Sequence, residues 1–217
     1  MRFTFRYETG GQFIWSGTLG HAVVGGFVDS LPALYERKFT EVRSLVQVHG
    51  NTVMDDTFYK SPNQEGDGLI TELASTLLLI RTADCLPVYL IAEKKIGMIH
   101  VGWRSLKAGI IERALALMNK NNVSAVFGPS IFWQNYEIDE DCYNSWDDPD
   151  LSQFLYPAMG TKKYLDMRGF AQHILTRTGM NKKDIYHIPL CTFNDGLPSY
   201  RRNGSRAGRI INAVFLL

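Results

Sequence analysis

Residues 76–104 read TLLLIRTADCLPVYLIAEKKIGMIHVGWR, and this stretch decides the fold class. Three apolar runs, at 76–81, 87–92 and 95–101, are separated by two short polar connections. Runs this short, bounded by charged residues, fit strands buried on both faces better than buried helices. Working outward, the segments 4–7, 12–16, 44–48, 68–71, 124–127, 185–188 and 210–216 also read as strands. The first two flank Gly10-Gly11, a hairpin signal. Helical periodicity is scarcer. Residues 105–119 place Leu106, Ile110, Ala114, Leu117 and Met118 on one stripe, with Lys107, Glu112 and Arg113 mostly facing away. Residues 167–178 and 32–38 are further helical segments, less regular in pattern. Many short strands with few helices predict an α+β fold, a single domain over residues 1–217 with mixed β-sheets flanked by helices.

The bulk properties exclude several classes. A chain of 217 residues buries a sizeable core, and 45% apolar with 21% charged residues is ordinary for a globular protein. A net charge of +1 predicts no broad attraction to nucleic acid or anionic lipid. Residues 1–15 alternate polar and apolar with no apolar core of a secretory signal, and no run approaches the roughly 20 residues that span a bilayer. Cys85, Cys142 and Cys191 are odd in number and widely spaced, a poor disulfide framework. The expectation is a cytoplasmic protein whose thiols are available as ligands or nucleophiles. The polar stretch 59–68, YKSPNQEGDG, reads as a loop, and 144–150, NSWDDPD, as a connection between two halves of one domain.

Chemistry concentrates at strand ends. His49 follows Leu45-Val46-Gln47-Val48, Cys85 lies in the connection Arg81-Thr82-Ala83-Asp84-Cys85, and His100 closes the run Ile96-Gly97-Met98-Ile99-His100. A single histidine in an apolar strand is usually a satisfied core residue, and a lone cysteine usually a small hydrophobe. Their joint placement beside Asp84, Arg104 and several glycines favours a site. Two histidines and one cysteine leave a fourth tetrahedral position open, as in catalytic rather than structural zinc sites. Such an ion polarises a substrate oxygen or acidifies water. The same atoms also fit a thiolate nucleophile, Cys85, with His49 or His100 as base. A basic group, Tyr200-Arg201-Arg202-Asn203-Gly204 and Arg206-Ala207-Gly208-Arg209, follows later in the chain, and Arg104 and Lys107 begin the segment after His100. These arginines and the lysine suit an anionic substrate group such as phosphate.

The segments Gln47-Val48-His49-Gly50, Gly66-Asp67-Gly68-Leu69-Ile70-Thr71, Thr82-Ala83-Asp84-Cys85-Leu86-Pro87 and His100-Val101-Gly102-Trp103-Arg104 occur in a telling order. Phe127-Gly128-Pro129-Ser130-Ile131, Tyr136-Glu137-Ile138 and Ser199-Tyr200-Arg201-Arg202-Asn203-Gly204 continue it. Over roughly residues 44–217 the chain resembles the laccase-domain family, also called the multicopper polyphenol oxidase-like or purine nucleoside phosphorylase family, whose members include the bacterial peptidoglycan editing factor. The resemblance implies mixed sheets with flanking helices, similar to the deamidating-toxin-like cysteine hydrolase fold. It implies a metal site of His49, Cys85 and His100, and phosphorolysis of adenosine, inosine and methylthioadenosine together with adenosine deamination. The older laccase label implies copper and phenol oxidation. Two departures stand out. The family's N-terminal Arg-x-Gly-Gly-Val-Ser segment is replaced by Gly20-His21-Ala22-Val23-Val24-Gly25-Gly26-Phe27, and the cysteine usual before the Tyr136-Glu137 motif is Asn135.

Phenol oxidation by dioxygen needs several coppers and many histidine ligands. This chain has five histidines, of which His21, His173 and His187 fall outside the matched motifs. The expected function is therefore a zinc-dependent purine nucleoside phosphorylase with adenosine deaminase activity. Catalysis falls to Cys85, His49, His100 and Asp84, and substrate binding to Arg104, Lys107, Arg201 and Arg202. Copper is the alternative metal, and the partners are a purine nucleoside and phosphate, with no nucleic acid or membrane. The alternatives are a cysteine amidase or peptidoglycan-precursor editor using Cys85, a copper polyphenol oxidase, and a non-catalytic metal-binding regulator.

Overall fold

In a computed structural model, residues 3–7, 13–30, 38–119 and 122–217 are described. Among them, the apolar runs assemble into two large sheets. The first contains β1 (Phe3–Tyr7), β2 (Phe13–Leu19), β3 (Ala22–Val28), β4 (Glu41–Arg43), β7 (Thr76–Thr82) and β15 (Ile210–Leu216), in the order β1-β2-β3-β15-β7-β4. The second contains β5 (Val53–Met54), β6 (Gly68–Thr71), β8 (Leu86–Ile91), β9 (Ile96–Val101), β10 (Ser124–Phe127) and β14 (Ile185–His187), in the order β14-β10-β8-β9-β6-β5. A small third sheet joins β11 (Glu137–Ile138), β12 (Leu155–Pro157) and β13 (Lys163–Leu165). Both large sheets are mixed. β4 pairs with β7, β5 with β6, and β10 with β14 in parallel, whereas the other neighbours are antiparallel.

The pleat explains why whole strands are apolar. All seven residues of β15 are buried. Val214 and Leu216 join Trp15, Tyr89, Ile96 and Met98 in the layer between the two large sheets, while Ile211, Ala213 and Phe215 pack on the opposite face with Phe27, Leu77 and Leu79. Asn212 interrupts this apolar strand because it has a partner: the Tyr89 hydroxyl of the second sheet lies 3.1 Å from its Oδ1 and 3.0 Å from the Gly25 carbonyl. Helices α1 (Trp103–Lys107), α2 (Ile110–Leu117) and α4 (Met167–Arg177) cover the outer face of the second sheet through Leu106, Ile110, Ala114, Phe170 and Ile174. The short helices α3 (Glu140–Asn144) and α5 (Tyr200–Asn203) lie in the connections.

Three local expectations are revised. Residues 105–119 form two helices instead of one, because Gly109 adopts φ +82°, a left-handed conformation that ends the first and starts the second. Residues 44–48 form no ladder. The strand there is β4, one step earlier, and Val46 makes a single bridge to Glu65 with its side chain nearly half exposed. The segment 22–28 is a central strand, β3, whose two glycines hide its apolar pattern. A Cβ on Gly26 would lie 2.8 Å from the Trp15 indole nitrogen, so that bulky ring needs glycine beside it. The Gly10-Gly11 turn and residues 32–37 of the expected helix over 32–38 lie outside the described residues.

Candidate metal centre

Three chain segments converge at one end of the second sheet: the turn at 48–50, the β7–β8 connection and the end of β9. His49 sits in the first, at φ +59°. Its backbone N–H donates to Asp67 Oδ1 at 3.0 Å, and the N–H groups of Val48 and Gly50 donate to Asp67 Oδ2 at 3.2 and 2.7 Å. Cys85 immediately precedes β8, after Asp84 at φ +90°. His100 is buried near the end of β9, with Nδ1 2.8 Å from Asp67 Oδ1. Cys85 Sγ lies 4.0 Å from His49 Nε2, and one ligand atom from each of the three residues falls within 4.8 Å of the others. Gly102 makes room for them, since a Cβ there would come within 3.1 Å of Cys85 Sγ and 3.2 Å of the His49 ring.

The donor set fits a metal ion. Zinc bonds of about 2.0 Å to nitrogen and 2.3 Å to sulfur at tetrahedral angles separate ligand atoms by roughly 3.3–3.6 Å. The observed separations, 4.0 Å between Cys85 Sγ and His49 Nε2 and at most 4.8 Å within the trio, are wider than that. The carboxylate behind His100 is the usual support of a metal-bound imidazole. Among the described residues, this is the one group of three or more histidines, cysteines or carboxylates close enough to hold an ion.

Electrostatics in the metal-free protein suit a soft ligand. Burial alone would raise the Cys85 thiol, but the charge of His100 and hydrogen bonds from His100 and His49 outweigh it and bring it down to about 6. Burial pulls the other way on His100, where the Cys85 charge and the Asp67 bond raise it to about 9. Asp67 is likewise held below the ordinary carboxylate range: burial opposes this, and the His100 bond and the N–H donors of Gly50 and Val48 prevail.

The trio opens into a cleft of about 640 Å³, lined among others by Arg81, Arg104, Arg201, Arg209, Trp103 and Tyr136. The Arg104 guanidinium lies 4.4 Å from the Trp103 ring centroid, and that of Arg201 5.5 Å from the Tyr136 ring. Of the expected site residues, His49, Cys85, His100, Asp84, Arg104 and Arg201 come together here. Lys107 and Arg202 do not line it. Lys107 edges a separate small depression beside Trp146 and Asp148, and the Arg202 guanidinium turns back onto the carbonyls of Thr192, Phe193 and Leu197. Asp84 is buried with both oxygens engaged, one by the Thr192 hydroxyl and one by the Arg201 N–H, each at 2.6 Å. Arg209, from the second basic run, reaches the cleft as well, whereas Asp67 and Arg81 had no role in the sequence reading. The signal for Asp67 was present in Gly66-Asp67-Gly68, an acidic residue between two glycines next to a buried strand.

With the geometry in place, comparison with known proteins is informative. The family described as multi-copper polyphenol oxidoreductase laccase matches residues 29–217. The chain belongs to that family. A purine nucleoside phosphorylase of Xylella fastidiosa is 31% identical over 185 residues, covering 79% of this chain and 71% of that protein. One from Aquifex aeolicus is 30% identical over 187 residues, covering 83% and 87%. Among solved structures, a Neisseria meningitidis protein superposes with a TM-score of 0.83 at 20% identity, covering 94% of this chain and 99% of that one. YlmD from Geobacillus stearothermophilus gives 0.78 at 20% identity, covering 98% of each. These structures share the fold of mixed sheets with few helices.

Proposed function

We propose that the chain is a zinc-dependent purine nucleoside phosphorylase acting at the His49, Cys85 and His100 centre on adenosine, inosine and methylthioadenosine. The observation that carries this reading is an open three-donor cluster in an arginine-lined cleft, in a chain whose relatives bear the phosphorylase name. One thiolate and two imidazoles suit zinc, with copper as the alternative ion. An ion held there supplies Lewis acidity toward an oxygen of the substrate or of water.

The remaining roles fall to this chain's side chains. Arg81, Arg104, Arg201 and Arg209 bring four cations to one cleft, the charge that phosphate requires. Trp103, Tyr136 and Tyr200 offer ring faces against which a purine stacks. In the reaction an oxygen of hydrogen phosphate bonds to C1′ of the ribose as the bond to the base breaks, and the proton that the phosphate gives up leaves on the base. Asp84 holds the Cys85 turn to the Arg201 backbone. Its two internal hydrogen bonds leave it poorly placed to carry protons, which makes adenosine deamination the secondary activity of this site. The substrates are small molecules, and among the described residues no helix is long and apolar enough to cross a membrane. We place the reaction in the cytoplasm, where the three free cysteines would stay reduced.

A second reading rests on one observation, the Cys85 thiol brought down to about 6 beside two histidines, as in a cysteine amidase. One experiment separates the two. Metal-quantified protein is incubated with inosine with and without phosphate, before and after chelation. Release of free base that needs phosphate, stops on chelation and is absent in Cys85→Ala supports the proposal. No release at high enzyme concentration overturns it, and hydrolysis that survives chelation favours the thiolate enzyme.

A further inference from the structure

The proposed reaction assigns no step to Asp67, the carboxylate that stands behind His100 and under the 48–50 turn. We propose that Asp67 is the positioning residue of the metal centre, setting both the ring state of His100 and the place of His49; this rests on the metal reading above.

Asp67 is fully buried, and its two oxygens accept four bonds, from the N–H groups of Val48, His49 and Gly50 and from His100 Nδ1. An ionised carboxylate only accepts. Nδ1 of His100 therefore keeps its proton whatever the charge of the ring, so that when an ion binds it is Nε2 that gives up a proton and offers its lone pair beside Cys85. The three backbone bonds do a second job. They fix the 48–50 turn around His49, whose φ of +59° is a left-handed conformation that a residue with a Cβ disfavours. Two of the three ligands, 51 positions apart in sequence, are thus placed by one side chain (100 − 49 = 51).

Main-chain contacts make the hub rigid. The Asp67 N–H donates to Thr52 O at 2.9 Å, and its carbonyl accepts from the His100 N–H at 2.7 Å. The flanking glycines permit this approach. A Cβ on Gly66 would meet Leu45 at 3.1 Å and the Thr52 carbonyl at 3.2 Å, and one on Gly68 would meet Ile99 at 2.8 Å and Val53 at 2.9 Å. The two glycines let the chain seat the Asp67 carboxylate close to Thr52, Val53 and β9.

The test uses Asp67→Asn, which keeps shape but replaces one acceptor with a donor. The amide NH2 must then oppose either the 48–50 N–H groups or His100 Nδ1, and in the second case the ring proton moves to Nε2 and blocks the ligand atom. Zinc affinity is measured on the metal-free full chain by competition with a chromogenic chelator, with folding checked by near-ultraviolet circular dichroism. A folded Asp67→Asn should bind zinc 10–100-fold more weakly than the parent. Affinity within twofold of the parent overturns the inference. If the variant does not fold, ¹⁵N NMR of the zinc-loaded parent decides instead: a protonated Nδ1 on His100 supports the positioning role, and a protonated Nε2 overturns it. A parent that binds no zinc in the competition assay would sink the metal reading, and this inference with it. Zinc binding indifferent to Asp67→Asn sinks the inference alone.

Discussion

Cys85 owes its character to its neighbours. A thiol half-hidden from water ordinarily resists ionising, yet two imidazoles beside it bring it down to about 6 in the metal-free protein. Thiolate is the alkylating species. The iodoacetamide reaction of the metal-free chain should therefore rise with pH through about 6, well below the ordinary cysteine value of about 8.5. The sign follows from the charges: His100→Gln removes the nearest cation and should move the inflection up. Saturating zinc should protect the thiol at every pH. An inflection near 8.5 in the parent would show that the histidines do not act on Cys85. At this scale the three residues that the structure brings together could be picked out in the sequence. His49 and His100 stood at the ends of apolar runs and Cys85 in the connection between two, a pattern visible without coordinates. Asp67 was hidden because a carboxylate between glycines in a polar stretch reads as a turn, and its role appears only when β6 pairs with β9. Lys107 and Arg202 misled for a related reason. A charge is visible in sequence, but the break at Gly109 and the carbonyls that draw Arg202 inward are tertiary facts.

At the scale of elements, the strands around the site tolerate little added volume. Gly68 pairs with Ile99 across β6 and β9, and its missing side chain lets Ile99 and Val53 close over it. Gly68→Ala should destabilise the protein by about 1–3 kcal/mol through overpacking, read as a lower urea midpoint with an unchanged slope. An unaltered midpoint would mean that the close approach does not constrain the sheet. Buried strands such as β7, β8, β9 and β15 were legible because both faces are covered, so the runs are apolar throughout. β3 was not, because Gly25 and Gly26 break its pattern for the sake of Trp15 and the β2 backbone. The extended segment at 44–48 read as a strand from composition. It makes one bridge and leaves Val46 and Val48 in part to solvent, since its task is to deliver His49.

At the scale of the molecule, the two large sheets and their helices bring together residues that the chain keeps far apart. The cleft draws on positions 45–49, 81–85, 100–104, 136, 200–201 and 209. The mixed-sheet class could be read from alternating and unbroken apolar runs. The strand orders could not, because β15, the last strand, inserts between β3 and β7. That insertion places Asn212 opposite Tyr89 and ties the two sheets by a buried polar contact. It also carries Arg209, just before β15, to the cleft rim. The central claim is that this assembly builds one open zinc site from His49, Cys85 and His100. Zinc K-edge absorption of the loaded chain tests it most directly. An ion held by these three residues gives one sulfur at about 2.3 Å and nitrogen or oxygen neighbours at about 2.0 Å, with the sulfur lost in Cys85→Ser. A zinc shell without sulfur, or with two or more, would contradict it.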